Sequence, residues 1–398
     1  MLWSFLIGFS PLQAEQKVLT LEEALDLAIK ANPEILQAKQ EIEAWRGRTW
    51  QLSSWPSPEI TFSREGLNFG QKKGEEEVNF NLYQLIEFPG KRALRREFGQ
   101  QGIEAAIFRL ETIKRIVFSQ VKKAYYQVAL SQETLNYYRT LSAFLEESLG
   151  TAQFRYEAGE VSFLDILRLE LERLRLQNEI IQTEKETAEK WANLSLLLGG
   201  ELKEKREVVV DLKFQPLNRS LEELLDEAKK RSSLAALNQE VKKFQTQGKI
   251  ASKSLLPDFR LGFFYPSLRI NSWGFEIGTT LPLGRAWQKG AVAEAAAQQK
   301  QAEIALEFLA QKIVASITTV FNRIRSLERR LELFEQTLLK EARSMLNLAI
   351  SLYAQGKAGF LDLLDVYRLN REIYLSYLNT LFEHYLALAE IEVAGELE

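Results

Sequence analysis

Two aspartates stand three residues apart in Leu361-Asp-Leu-Leu-Asp365, so on a helix both carboxylates share one face. Gathered around an axis, such pairs would concentrate negative charge and favour cations. The earlier segment Phe163-Leu-Asp165 carries one acid, and Arg168 stands where the second would be. There Asp165 reads as an acid at a helix start, complementing the helix dipole. Little else in the chain could do chemistry. With 1 His, 2 Met and 0 Cys, no soft metal site fits within one subunit, and thiol chemistry is excluded. The single histidine, His384, falls on a heptad seam, where packing or a wet lumen is its expected place. No Ser/His/Asp set and no glycine-rich phosphate cradle can be traced, so the expectation is a protein that is not an enzyme and holds no cofactor. Lys and Arg (51) nearly balance Asp and Glu (54), which gives no electrostatic case for nucleic acid.

The elements that must carry these residues are written twice. Leu21-Glu-Glu-Ala-Leu-Asp recurs as Leu221-Glu-Glu-Leu-Leu-Asp, and Pro58-Glu-Ile-Thr-Phe is echoed by Pro257-Asp-Phe-Arg-Leu. Phe88-Pro-Gly-Lys-Arg92 corresponds loosely to Leu281-Pro-Leu-Gly-Arg285. Tyr156-Glu-Ala-Gly-Glu-Val-Ser-Phe-Leu-Asp165 reappears as Tyr353-Ala-Gln-Gly-Lys-Ala-Gly-Phe-Leu-Asp362. The expected organisation is a first repeat over 15–210 and a second over 211–398. Residues 1–14, an apolar run ending in Ala14 before Glu15, read as a signal peptide. No other run reaches ~18 consecutive apolar residues, so no membrane-crossing helix is expected.

Each repeat should open with a short helix: Thr20 with Glu23, and Ser220 with Glu223, have the spacing of a capping box. Pro33 then starts a second helix reaching about Trp55. Two strands follow. Val78, Phe80 and Leu82 alternate with Asn79, Asn81 and Tyr83, while Trp273, Phe275, Ile277, Thr279 and Leu281 alternate with Gly274, Glu276, Gly278 and Thr280. Aromatic residues on one face and polar or glycine residues on the other suit the wall of a membrane β-barrel. Proline-free helical composition then runs from Gly90 to about Glu157 and from Ala286 to about Gln355, on the order of 100 Å each. Heptad steps join Leu164, Leu167, Leu171, Leu174, Asn178 and Ile181, and likewise Val366, Asn370, Ile373, Tyr377, Thr380, His384, Ala387 and Ile391. Polar residues in these seams suggest helices packed around something wet. Four strands cannot close a barrel, and an open edge in lipid leaves backbone groups unsatisfied. The pattern calls for several copies.

Helix pair, hairpin and long helices, all duplicated, resemble the TolC-type outer-membrane factor family over nearly the whole mature chain. Gln84-Leu-Ile-Glu-Phe-Pro-Gly-Lys-Arg92 is similar to its heavy-metal and cation efflux branch. The resemblance implies a mainly α fold with a small β part, in which three subunits complete a twelve-stranded outer-membrane barrel continued by a long α-helical barrel in the periplasm. It implies a homotrimer in the outer membrane of a Gram-negative-type cell, meeting a periplasmic adaptor and an inner-membrane pump and passing small toxic solutes, with heavy-metal cations among the candidates. Type I protein secretion and a soluble coiled-coil structural role are the alternatives. Asp362 and Asp365 resemble the family's constriction motif and Tyr353 its gate tyrosine; Ala358, beside Lys357, stands where the founding member has a basic residue. Gly159 and Gly356 would form the turns at the periplasmic tip. Lys91, Arg92, Arg95 and Arg96 crowd a helix start, where positive charge is unfavourable unless lipid head groups or solvent compensate it.

Overall fold

A computed structural model describes residues 18–65, 77–200, 207–210, 213–265, 272–280 and 285–396. The candidate signal 1–14, the loop positions Gln71 and Lys73, and Leu281 to Gly284 of the loose repeat match lie outside the described residues. In chain order the first repeat gives β1 (Val18–Leu19), α1 (Leu21–Ala31), α2 (Pro33–Ser53), β2 (Glu59–Glu65), β3 (Glu77–Ile86), α3 (Lys91–Glu157) and α4 (Phe163–Leu197). After β4 (Glu207–Val208), at the end of the first repeat, the second gives α5 (Leu221–Ala228), α6 (Ser232–Lys253), β5 (Phe259–Tyr265), β6 (Gly274–Thr279), α7 (Arg285–Leu333), α8 (Leu339–Ala354) and α9 (Phe360–Ile391). Helices dominate, one pair of antiparallel strands interrupts each half, and the order of elements repeats. Between α7 and α8 the backbone widens into a π turn at Phe334–Leu338, where the first repeat runs on as regular helix.

Local chemistry starts the helices as the residues dictate. The Thr20 hydroxyl accepts from Glu23 N at 3.2 Å. Before Pro33, the Asn32 side chain accepts from Glu34 N at 2.9 Å and Ile35 N at 3.3 Å, a cap the sequence reading did not identify.

The chain divides into two compact units, and each draws on both repeats. One contains residues 36–113 and 222–315. It holds an antiparallel sheet in the order β2-β3-β5-β6, so the two hairpins lie side by side with β2 and β6 as open edges. Register places Phe62 opposite Phe80, Leu82 opposite Phe263, and Phe263 opposite Phe275, all on one face. Asn79, Asn81, Tyr83, Arg260 and Glu276 occupy the other face, as the alternation predicts. The apolar face is open: Ile60, Phe62, Phe275 and Ile277 are 66–78% exposed, so nothing among the described residues covers it. On the polar face the Arg260 guanidinium lies 3.9 Å from the Tyr83 ring and 3.3 Å from Glu276.

The other unit contains residues 1–35, 114–221 and 316–397. A two-stranded parallel pairing of β1 with β4 is pinned there by the buried Tyr125, whose hydroxyl donates between Leu19 O (2.8 Å) and Val209 O (3.1 Å). A buried cluster there joins Tyr138, Leu141 and Leu145 of α3, Leu169 and Leu176 of α4, and Tyr353, Phe360, Leu363, Leu364 and Tyr367 of the second repeat. Helices this long gain their stability from such packed faces more than from propensity.

One expectation changes. The apolar heptad stripe of α4, from Leu164 to Leu174 and on to Ile181, is 45–60% exposed, and α4 buries Leu169, Leu176, Trp191 and Leu194 instead. Periodicity gave the right period, but the chain packs the neighbouring stripe and leaves the regular one uncovered. By length and composition alone, a window within the helical run Ala286–Ala354 is apolar enough to cross a membrane, but Glu, Lys and Gln interrupt it and it holds no run of ~18 consecutive apolar residues.

Candidate functional site

The two repeat turns end their helices in the same way. Gly159 (φ 77°) and Gly356 (φ 72°) adopt left-handed backbone, where a side chain would be strained. At the first turn Gly159 N bonds Tyr156 O at 2.9 Å and Glu160 N bonds Arg155 O at 2.8 Å. At the second, Gly356 N bonds Tyr353 O at 3.0 Å and Lys357 N bonds Leu352 O at 2.9 Å. Both are Schellman closures that satisfy the last helix carbonyls. The following helix is capped in each case by the repeated aspartate: Asp165 accepts from Ser162 N at 3.3 Å, and Asp362 accepts from Gly359 N at 3.0 Å.

Beyond the cap the turns diverge. Asp165 is also paired to Arg168 at 3.3 Å, so the first turn is locally neutralised. In the second, Asp362 and Asp365 are both exposed, and Asp365, one helical turn further on, is not needed as a cap. Tyr353 sits under this turn, 5% exposed, its ring edge-on to Phe360 at 6.2 Å. Arg155 of α3 reaches across: Nη1 donates to Tyr353 O at 2.8 Å, the guanidinium lies 4.9 Å from the Tyr353 ring, and Nε pairs with Glu160 at 3.0 Å. Burial raises the pKa of the Tyr353 hydroxyl, against the opposing pull of Arg155. Sequence reading missed Arg155 and looked instead to Lys357. Aligning the repeats gives the missing signal, because Arg155 corresponds to Leu352 and is a charge found in one copy only.

Deeper in the same helices, Glu172 is 3% exposed and takes Arg368 at 2.8 Å, with Arg371 and Arg175 each at 3.7 Å. A buried carboxylate is tolerable when it is paired and hydrogen-bonded in this way. The hydroxyls of Tyr137 and Tyr367 in the adjoining core have no hydrogen-bond partner among the described residues. His384 is fully buried beside Phe214 (5.5 Å between rings), and burial lowers its pKa. Among the described residues of one chain, no three His, Asp or Glu side chains gather as a metal site.

The basic cluster at the start of α3 splits in two. Lys91 bonds Asp258 and Leu256 O, each at 2.8 Å, and Arg95 pairs with Glu87 and donates to Leu52 O at 2.8 Å. These two close the unit on itself. Arg92 lies 4.2 Å from the Trp55 ring and Arg96 is exposed.

Comparison with known proteins agrees with this architecture. The model of the family described as outer membrane efflux protein matches residues 24–200 and 224–370. CzcC of Cupriavidus metallidurans, a cobalt-zinc-cadmium resistance protein, is 23% identical over 94% of this chain and 89% of its own length. Among solved structures, CusC superposes with a TM-score of 0.80 at 17% identity, covering 94% of this chain and 91% of that one. The Campylobacter jejuni outer membrane channel CmeC gives a TM-score of 0.80 at 13% identity, covering 95% and 86%.

Proposed function

The chain belongs to the outer membrane efflux protein family, and from that premise we propose that three copies form one passive duct through the outer membrane, opened and supplied by periplasmic and inner-membrane partners. It is an outer-membrane efflux channel that extends into the periplasm. The observation that carries the trimer is the open sheet. Among the described residues its edges β2 and β6 are unpaired and its apolar face is uncovered, while each unsatisfied backbone group in lipid costs several kcal/mol. Three chains of four strands would close a twelve-stranded barrel. The uncovered stripe of α4 is then a seam for a neighbouring helix, and the repeats 15–210 and 211–398 supply alternate staves of the wall. The soluble coiled-coil alternative is set aside by the family match.

The cargo follows from likeness and charge. CzcC is named for cobalt, zinc and cadmium, and in a trimer the second-repeat turns would bring six carboxylates, Asp362 and Asp365 from each chain, to one axis. Heavy-metal cations are the cargo this favours. Tyr353, held by Arg155, is the contact that keeps this end narrow; Gly159 and Gly356 let both turns reach a periplasmic adaptor, behind which an inner-membrane pump supplies the energy.

Cysteine labelling in intact outer membranes tests the duct. Asn79→Cys and Glu276→Cys should react with a water-soluble maleimide, while Phe80→Cys and Phe275→Cys should be spared. The reverse pattern, or purified protein that is only monomeric in mild detergent, would overturn it.

A further inference from the structure

The half of the basic cluster without acidic partners has an occupant to find. Arg92 and Arg96 stand one helical turn apart in the first turns of α3, and among the described residues neither has a carboxylate within ion-pair distance. Two uncompensated cations at the positive end of a helix are unfavourable until an anion arrives. Together with Trp55, Phe88 and Pro89 they wall a cavity of about 440 Å³. Glu87 also borders it, but its charge is answered by Arg95. Trp55 is 56% exposed, with its ring under the Arg92 guanidinium. An amphipathic indole beside paired guanidiniums is the chemistry that holds a phosphate at a membrane interface.

What lies above the cavity narrows the choice of anion. Ile86 and Phe259, paired across β3 and β5, form its border with the apolar face of the sheet. Past the Gln84–Leu261 pair, Leu82 opposes Phe263 on the same face, and these join Phe275 and Ile277, with Glu276 at the margin, around a mostly apolar groove of about 320 Å³. The pairs advance by ~7 Å per two residues, so cavity and groove follow one another along one line. A basic, aromatic end and an apolar continuation on the lipid-facing side of the sheet match one ligand. We propose that Arg92, Arg96 and Trp55 bind the phosphate of an anionic glycerophospholipid whose acyl chain lies in the Leu82–Phe263–Phe275 groove. The site rests on the outer-membrane reading above, which turns this face toward lipid. It would fix the depth of the subunit at the inner edge of the membrane.

Native mass spectrometry of the detergent-purified protein, titrated with phosphatidylglycerol, tests it. Arg92→Gln with Arg96→Gln should weaken binding by roughly tenfold or more, the loss expected for two charge-assisted contacts, while Arg92→Lys with Arg96→Lys keeps most of it. Trp55→Ala, which removes no charge, should weaken binding in the same direction and serves if the double variant fails to fold. Millimolar inorganic phosphate should not displace the lipid. Displacement by phosphate alone would overturn the acyl half of the proposal, and undiminished lipid binding by the folded double variant would overturn the site. Planar-bilayer conductance of the same wild-type preparation reports on the duct separately: a conducting channel with variant-insensitive lipid binding removes the lipid site and leaves the duct standing.

Discussion

The two repeat turns share a sequence, a backbone and a cap, yet they differ in what covers them. Tyr156 and Phe163 in the first, like Tyr353 and Phe360 in the second, form a ring pair about the glycine turn, at 5.9 Å and 6.2 Å. Tyr156 and Phe163 are 45% and 55% exposed; Tyr353 and Phe360 are each 5% exposed. Local sequence therefore specifies the turn, and tertiary placement decides whether the aromatic pair is core or surface. In the second repeat the pair is buried, and Arg155 fastens its tyrosine. In the first it is a free apolar patch beside the exposed stripe of α4, the surface a neighbouring chain or an adaptor would cover.

The sharpest way to break this comparison is to truncate both pairs. Tyr353→Ala or Phe360→Ala should destabilise the folded protein by about 3–5 kcal/mol, the cost of emptying a buried aromatic site. Tyr156→Ala and Phe163→Ala should cost under about 1 kcal/mol in the isolated chain and act instead on assembly. Denaturant melts of the four variants at matched concentration decide it. Equal losses in both repeats would mean that the turns are equivalent.

Arg155 comes next. It is 13% exposed at the side chain and donates to a backbone carbonyl, so Arg155→Ala should cost about 1.5–3 kcal/mol. If Tyr353 is what Arg155 holds, the variant should also conduct more in planar bilayers than the wild type. Arg155→Lys keeps the charge but loses the flat contact on the ring, and should fall between the two. A variant that loses stability without gaining conductance would reduce Arg155 to a structural brace.

Much of this was legible beforehand, for physical reasons. The strands were readable because a half-buried sheet imposes a period of two, and Phe80 and Phe275 fall on the face their alternation assigns. Turns at Gly159 and Gly356 were readable because only a left-handed residue closes a helix this way. The Leu164–Ile181 stripe misled in part, since a heptad states that a face is apolar without saying which chain covers it. Arg155 on Tyr353, and Arg368 and Arg371 on Glu172, were hidden because they are contacts between segments far apart in sequence. The π turn at Phe334 was hidden as well: Phe334 packs on Tyr377 at 6.0 Å and Glu335 accepts from the Tyr377 hydroxyl at 3.0 Å, contacts that reach α9, some forty residues away in sequence.

A smaller effect separates the two turns by pH. Burial raises the Tyr353 pKa, and in the surrounding core burial pushes Tyr137 and Tyr374 up to about 12. An unfolded tyrosine ionises near pH ~10. Stability from these neutral hydroxyls is therefore complete below that pH and is lost as pH rises through the raised folded values. Melting temperature should fall on the alkaline side, and Tyr353→Phe, which cannot ionise, should show a shallower fall than wild type. A variant as steep as wild type would remove Tyr353 from the set.

The smallest change is expected at the acids, and it distinguishes cap from ring. Asp165 and Asp362 each bond the amide that precedes their helix, whereas Asp365 does not occupy the cap. A carboxylate engaged in a cap, and in the first repeat also paired with Arg168, has less of its charge available to a passing cation. Asp365 in three chains would supply the freer charge on the axis. Millimolar divalent cations on the periplasmic side should therefore reduce conductance in wild type. Asp365→Asn should weaken that block by roughly threefold to tenfold, which corresponds to no more than about 1.4 kcal/mol, and should leave stability within ~0.5 kcal/mol of wild type, as for other surface changes. Asp362→Asn should weaken the block less and cost ~1 kcal/mol through the lost cap. Asp165→Asn should leave the block unchanged while loosening its own helix start. If all three variants are blocked like wild type, these aspartates serve only their helices and the narrowest charged ring lies elsewhere along the duct. If Asp165→Asn matches Asp365→Asn, the two repeats line the axis alike, and the difference drawn between their turns fails at the one place where it was meant to matter.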